Sequence, residues 1–479
     1  PRQWRPDDGL AGLLMLQLET ALHGGGPEDP QGEPMEVWWN HAGLRDSYCL
    51  VDSDWDISAA QAGSFTAKLV FDPPRRHADP LEESLPAVRM AITEIRDASG
   101  QVLASWEGAL PHDLERARSF TFKWARSETT LVPGRSNEEF ADIRRAHAWA
   151  KIPPVSVGGK LFVRCTAVVH PIELTAGAEG DGWLVVLEWG QFRDLSSGKH
   201  AAGRKPQSRN IPVYRAGVSD LGARVPAVEA LRGKRVAIAG VGALGAPIAV
   251  ELARNGVAEL RLLDHDTVEP GNSIRWPLGA ASWGRTKVDA LHDHIIQNYP
   301  RCAVQPIRHM IGGLGSPDAP ELDRLLAEAD LVIDASASST VNLILWRQCQ
   351  ERGLPLIKVG ATPEVRGGTV MAHAIGGPCP TCLVTARAAK QVETPAGSDD
   401  ALRVQPIGCA EPTFVGAGFD LQELFLQAVR VAVDALGHGL TASCVYTLSL
   451  RDATDAVIPP QWTKQPVVVQ PDCPSHPTP

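Results

Sequence analysis

Apolar and polar residues alternate at Phe65, Ala67, Leu69 and Phe71, and again at Phe120, Phe122 and Trp124, the period of two that marks half-buried strands. Denser apolar runs at 161–169 and 183–189 predict strands with little exposure, and turn sequences such as Asp97-Ala98-Ser99-Gly100 suit a sandwich-like β-rich module. Leu10, Leu13, Leu14 and Leu18 stand at helical spacing and predict a short amphipathic helix over 10–22. After Leu231 the pattern changes. Arg235–Ala239 reads as a strand, 243–255 as a helix, 260–264 as a second strand, and 285–298 as a helix with Val288, Leu291 and Ile295 on one face. Further strands follow at Leu331–Asp334, 356–359 and 369–374, then a polar loop at 391–403 and a helix over 419–436. Alternation of this kind predicts a Rossmann-like, doubly wound α/β sheet. The polar, basic segment 203–210, ending at Pro212, reads as a linker. It divides a β-rich N-terminal domain (1–210) from an α/β domain (211–479).

The 479 residues, 44% hydrophobic and 21% charged, leave room for two or three ordinary globular domains. A net charge of −10 without long runs of either sign argues against a phosphate-backbone binder and so against nucleic acid as partner. No stretch reaches the ~18 uncharged apolar residues of a membrane span. The 10–22 segment carries Glu19 and lacks the basic flank of a signal peptide. Nine scattered cysteines suit a reducing compartment, so a cytoplasmic location is expected.

Gly240, Gly242 and Gly245 form G-x-G-x-x-G between the first strand and first helix of the second domain. Glycine there permits a tight turn, close phosphate approach and tight helix packing. Asp264 ends the next strand, where a carboxylate can take ribose hydroxyls. Taken alone, this pattern suits a nicotinamide or flavin enzyme and fixes no one cofactor. Gly312-Gly313-Leu314-Gly315 reads as a turn.

The residues after Asp264 separate the readings. Asp264-His265-Asp266-Thr267-Val268, followed by Asn272 and Arg275, resembles the D-x-D-x-V-x-x-x-N-x-x-R stretch of the ThiF/MoeB and ubiquitin-activating-enzyme superfamily. Gly284-Arg285-Thr286-Lys287 is similar to that superfamily's G-x-x-K, and Asp334 closes a later strand. The resemblance spans roughly 224–476 and leaves 1–210 uncovered. It implies ATP-dependent adenylation of a carboxylate: Asp264 on the ribose, Asn272, Arg275 and Lys287 on the triphosphate, and Asp334 positioning Mg²⁺. These types make chemical sense, because attack on the α-phosphorus needs cations to offset phosphate charge. Asp266 lies in the same stretch, either as a nucleotide contact or as a local hydrogen-bonding partner. Arg224, ahead of the glycine loop, is the candidate for an additional site arginine. Where the superfamily usually has a D-N pair and an Arg after the metal Asp, this chain has Ala335-Ser336-Ala337-Ser338 and then Asn342, and Trp276 replaces a usual Gln. Both departures point to a divergent subfamily.

Cys379-Pro380-Thr381-Cys382 and Cys473-Pro474-Ser475-His476 are two ligand pairs that suit tetrahedral Zn²⁺. The resemblance agrees, since many members carry two such knuckles; a redox Cys-x-x-Cys is disfavoured because it opens no helix in a thioredoxin-like pattern. Cys409 stands where the resemblance puts the thioester cysteine of ubiquitin-activating enzymes; its other reading is a thiol that only packs. Cys49, Cys165, Cys302, Cys349 and Cys444 are expected to be structural. The resemblance therefore implies an activating enzyme for a ubiquitin-like protein, of the kind found in bacterial ubiquitination-like operons. It would pass the acyl group to Cys409 and on to a conjugating enzyme, and would work as a homodimer. A sulfur-carrier-protein adenylyltransferase without an obligatory thioester, or a non-catalytic scaffold binding a ubiquitin-like tail, are the alternatives.

Overall fold

Residues 62–72 bury nearly every second side chain, so Phe65, Ala67 and Leu69 enter a core while their neighbours stay half exposed. The computed structural model describes residues 11, 15, 39–73, 85–132, 137–149, 153–158, 161–175, 178–193, 201–202, 206–222, 225–313, 317–395, 397, 416–452, 454–471 and 473–476. The helix expected over 10–22 lies outside them apart from Ala11 and Met15. Two units are defined by internal contacts: Pro1–Glu107 with Asp113–Leu221, and Gly108–His112 with Gly222–Pro479.

In the first unit the described strands are β1 (Tyr48–Val51), β2 (Ala62–Asp72), β3 (Ala87–Asp97), β4 (Val102–Ser105), β5 (Arg118–Arg126), β6 (Val155–Gly158), β7 (Leu161–Thr175), β8 (Ala178–Arg193), β9 (Ala201–Ala202), β10 (Gln207–Ile211) and β11 (Val213–Arg215). They join in one mixed sheet, ordered β10-β8-β7-β5-β2-β3-β1-β11 with β4, β6 and β9 at its margins. The sandwich expectation is thereby corrected: the strands are hydrogen-bonded into one sheet. The linker expectation is corrected too, because Gln207–Ile211 pairs antiparallel with β8 and Val213–Arg215 pairs parallel with β1. The dense apolar runs have a physical cause. On β7 and β8, Val163, Cys165, Ala167, Val185 and Leu187 enter one core. The residues between them, Val168, Leu184 and Val186, pack on Leu131 and Trp149 on the other side. Helix α1 (Asn137–Ala146) contributes Phe140 and Ile143 to that second cluster.

The second unit carries β12 (Arg235–Ala239), β13 (Glu259–Leu263), β14 (Ala303–Ile307), β15 (Leu331–Asp334), β16 (Leu356–Ala361), β17 (Gly367–His373), β18 (Cys444–Arg451) and β19 (Val457–Pro466). The first five are parallel in the order β14-β13-β12-β15-β16, and β17, β18 and β19 extend the sheet antiparallel. Helices α2 (Gly245–Arg254), α3 (Lys287–Asn298), α4 (Asp318–Leu326), α5 (Ser339–Arg352), α6 (Pro380–Ala388) and α7 (Gly418–His438) accompany the strands. This is the doubly wound architecture that the pattern predicts. The strand order reverses between β12 and β15, and ligands of such sheets bind beyond the carboxyl ends of the strands at that point. Among the described residues no helix is long and apolar enough to cross a membrane.

Candidate functional site

The glycine loop leaves β12 at the reversal point, and each glycine answers a different need. Gly240 has φ +81°, and a Cβ there would lie 2.7 Å from the backbone of Ser336, so only glycine fits. A Cβ on Gly245 would fall on the Gly240 carbonyl oxygen, which lets α2 start directly against the loop. A Cβ on Gly242 would meet nothing within 4 Å, so this glycine faces open space at the helix N-terminus. Backbone approach to a phosphate needs that opening, and the loop fits a nucleotide on this ground.

Between Gly240 and Gly242, Val241 is held from both sides. Its N–H donates to Asp264 Oδ2 at 2.8 Å, and its carbonyl accepts from the Trp276 indole N–H at 2.8 Å. Asp264 Oδ1 accepts from the Asp266 N–H at 2.9 Å. The residue that departs from the usual motif, Trp276, is thus a buried brace under the loop. The segment after Asp264 closes on itself through the Val268 N–H to the Arg285 carbonyl (2.8 Å) and the Lys287 N–H to the Asp266 carbonyl (2.9 Å). Lys287, buried at the start of α3, extends Nζ to Asp266 Oδ2 at 2.7 Å. His265 Nε2 lies 3.2 Å from the other oxygen of Asp266. Asp266 therefore holds local partners, one of the two roles open to it. Asn272 Oδ1 accepts from the Glu269 N–H at 3.0 Å in a capping box around the turn Pro270–Ile274, which leads into Arg275. A Cβ on Gly418 would lie 3.2 Å from Arg275 Cα, so α7 begins against the motif arginine.

Register places Asp334 between Ala239 of β12 and Lys358 of β16. Its carboxylate is fully buried. Oδ1 accepts from the Ser336 N–H (2.9 Å) and hydroxyl (2.6 Å), and Oδ2 accepts from Asn342 Nδ2 (2.9 Å) and Lys358 Nζ (3.2 Å). A carboxylate offers about four acceptor positions, and four donors occupy these. Direct Mg²⁺ ligation needs an oxygen lone pair at about 2.0–2.1 Å, which this donor set does not offer. Lys358 and Ser336 were not singled out as site residues by sequence reasoning. The available signal was a lone lysine inside the apolar run Leu356-Ile357-Lys358-Val359, since an unpaired lysine is rarely buried.

In the same unit Cys379, Cys382, Cys473 and His476 converge, with one ligand atom from each lying within 4.8 Å of the others. Cys379 Sγ is 3.7 Å from Cys382 Sγ and 3.3 Å from Cys473 Sγ, and the Cys379 N–H donates to His476 Nε2 at 3.1 Å. Trp346 packs edge-on against the His476 ring at 5.4 Å between centroids. Burial pushes the Cys379 thiol up, but hydrogen bonds from the Cys382 N–H and the neighbouring thiols outweigh it and hold Cys379 below the ordinary thiol range. Three sulfurs and an imidazole at this spacing fit Zn²⁺. Arg224 and Cys409 lie outside the described residues.

Residues 208–424 match the ThiF family. The chain is 38% identical to y4qC of Sinorhizobium fredii, an uncharacterised protein, over 98% of this chain and 81% of that one. It is 36% identical to the Escherichia coli molybdopterin-synthase adenylyltransferase over 32% of this chain and 60% of that enzyme. It is 26% identical to the SAMP-activating enzyme E1 of Haloferax volcanii over 45% of this chain and 80% of that enzyme. The chain carries a ThiF-family domain over residues 208–424, of the kind found in adenylyltransferases. Its match spans less than two thirds of the molybdopterin-synthase adenylyltransferase.

Proposed function

We propose that this protein activates the C-terminal carboxylate of a ubiquitin-like protein with ATP and then carries the acyl group on Cys409 for transfer to a conjugating enzyme. The observation that carries the reading is the ordered sequence set Asp264, Asn272, Arg275 and Lys287, in which Asp264 bonds to the glycine loop and Lys287 to Asp266. In the first step a carboxylate oxygen of the carrier bonds to the α-phosphorus of ATP, the α–β phosphoanhydride bond breaks, and pyrophosphate leaves. Asp264 would take the ribose, while Asn272, Arg275 and Lys287 would offset charge on the phosphates. In the second step the Cys409 thiolate attacks the acyl carbon and AMP leaves. Mg²⁺ supplies charge neutralisation in reactions of this class, but Asp334, whose oxygens hold four donors, does not present it one. Arg224 remains the candidate for a further site arginine, from the same chain or from the second copy of a homodimer, and a cytoplasmic setting suits the free thiols.

The test is pyrophosphate release with a carrier captured from host lysate, read beside non-reducing intact-mass analysis of wild type and Cys409→Ala. An ATP-dependent adduct of small-protein mass in wild type alone supports the thioester. Pyrophosphate release in both with no adduct in either favours a second reading, a sulfur-carrier adenylyltransferase. That reading draws on the 36% identity to the molybdopterin-synthase enzyme. No pyrophosphate release leaves the scaffold alternative.

Cys379, Cys382, Cys473 and His476 would hold a structural Zn²⁺, tying the start of α6 to the segment after β19. Metal analysis should find one zinc per chain in wild type and none in Cys473→Ser. A strong chelator should lower the unfolding temperature of wild type only. Equal metal content in the two proteins would dismiss the site.

A further inference from the structure

We propose that Lys358 is a phosphate-binding cation of the nucleotide site, and that Asp334 acts as its positioning residue instead of ligating Mg²⁺ directly; this rests on the adenylation reading above. Three observations lead there. Asp334 sits on the last residue of β15, level with the residue that precedes the glycine loop, and Lys358 is its register partner on the opposite side. The loop packs onto the residues just after Asp334: a Cβ on Gly240 would touch Ser336, and one on Gly245 would lie 3.2 Å from Ala335 Cβ. The Asp334–Lys358 pair therefore stands at the end of β15, directly before the residues on which the glycine loop packs.

Asp334 already holds four donors. Ser336 fills one oxygen with its N–H and hydroxyl, while Asn342 and Lys358 share the other. A metal would have to displace the ammonium or a hydrogen bond from a fully buried carboxylate, leaving a buried donor unpaired. The ammonium differs from its neighbours. Its side chain keeps 20% of its exposure whereas Asp334 keeps none, and an ammonium has three N–H donors, of which Asp334 takes one. The pair thus holds a partly exposed cation at fixed position on the strand next to β15. A preorganised positive group of that kind favours charge on the phosphates without metal.

The experiment is calorimetric ATP binding to the full chain, in EDTA and again with added Mg²⁺, for wild type, Lys358→Met, Lys358→Arg and Asp334→Asn. Lys358→Met should weaken binding in EDTA at least about tenfold, the scale of one charge-assisted phosphate contact. Lys358→Arg should recover part of it, and the gain on adding Mg²⁺ should be the same in Asp334→Asn as in wild type. Lys358→Met that binds like wild type in EDTA overturns the phosphate contact. Loss of the Mg²⁺ gain in Asp334→Asn overturns the positioning role. Should Lys358→Met fail to fold with Asp334 left unpaired, Asp334→Asn/Lys358→Met compared with Asp334→Asn makes the same test. Wild type that binds no ATP removes the adenylation reading together with this inference, whereas ATP binding that is indifferent to Lys358 removes this inference alone.

Discussion

Val241 shows how much of a binding loop is decided one peptide at a time. Its N–H and its carbonyl are both taken, by Asp264 and by the Trp276 indole, so the loop is set before any ligand arrives. Trp276→Phe keeps one aromatic ring but removes the indole N–H and part of the buried bulk, leaving a buried carbonyl without its partner at about 1–3 kcal/mol. A lower unfolding temperature and several-fold weaker ATP binding are expected from thermal unfolding and calorimetry. Unchanged values of both would show that the loop does not depend on this brace. Asp264, Arg275 and Lys287 were legible in the sequence because their order and spacing repeat a known motif. The part played by Trp276 was not, since its partner stands 35 residues away and only the folded chain brings them together. Lys358 escaped for the same reason, as its meaning depends on Asp334 across a parallel register.

Strand, loop and helix together give the three glycines separate tasks that the motif treats alike. Gly245→Ala drives a methyl into the Gly240 carbonyl and must push α2 away from the loop, whereas Gly242→Ala adds a methyl to open space. Gly245→Ala is therefore expected to lower the unfolding temperature. Gly242→Ala should leave it within error while weakening ATP binding at least about tenfold, because the methyl occupies the path of the phosphate. If Gly242→Ala binds ATP like wild type, the nucleotide does not sit on this loop. Elements were legible in proportion to how simply they are buried. β12 and β15 are almost wholly buried short apolar runs and stand out in the sequence. α5 does not, because it turns Asn342 inward to Asp334 beside Leu345, Trp346 and Cys349 and leaves Leu343 outside, which blurs its apolar face. β19, mostly exposed and carrying Pro459 and Pro460, offers no apolar alternation to read.

Across the molecule, the α/β half was readable from local alternation, while the sheet path of the β-rich half was not. That path depends on pairings such as Cys49 with Val213, which no local period encodes. Each unit also buries a histidine that acid should expose. Burial pushes His170 in the first unit and His373 in the second down to about 4. His373 donates from Nδ1 to the Pro378 carbonyl at 2.9 Å, and His170 Nε2 has no hydrogen-bond partner among the described residues. Below an unfolded-state value of about 6.5 the unfolded chain takes up a proton at each site that the folded chain refuses until about 4. Stability is thus intact above that window and declines as pH falls through it. Between pH 7 and pH 5 each histidine should cost on the order of 2 kcal/mol. Scanning calorimetry and denaturant titration should show wild type losing stability over that range, and His170→Gln losing less of it by about that amount. An equal loss in the two proteins would mean that His170 is already protonated in the fold, and that the acid sensitivity of the β-rich unit comes from its carboxylates.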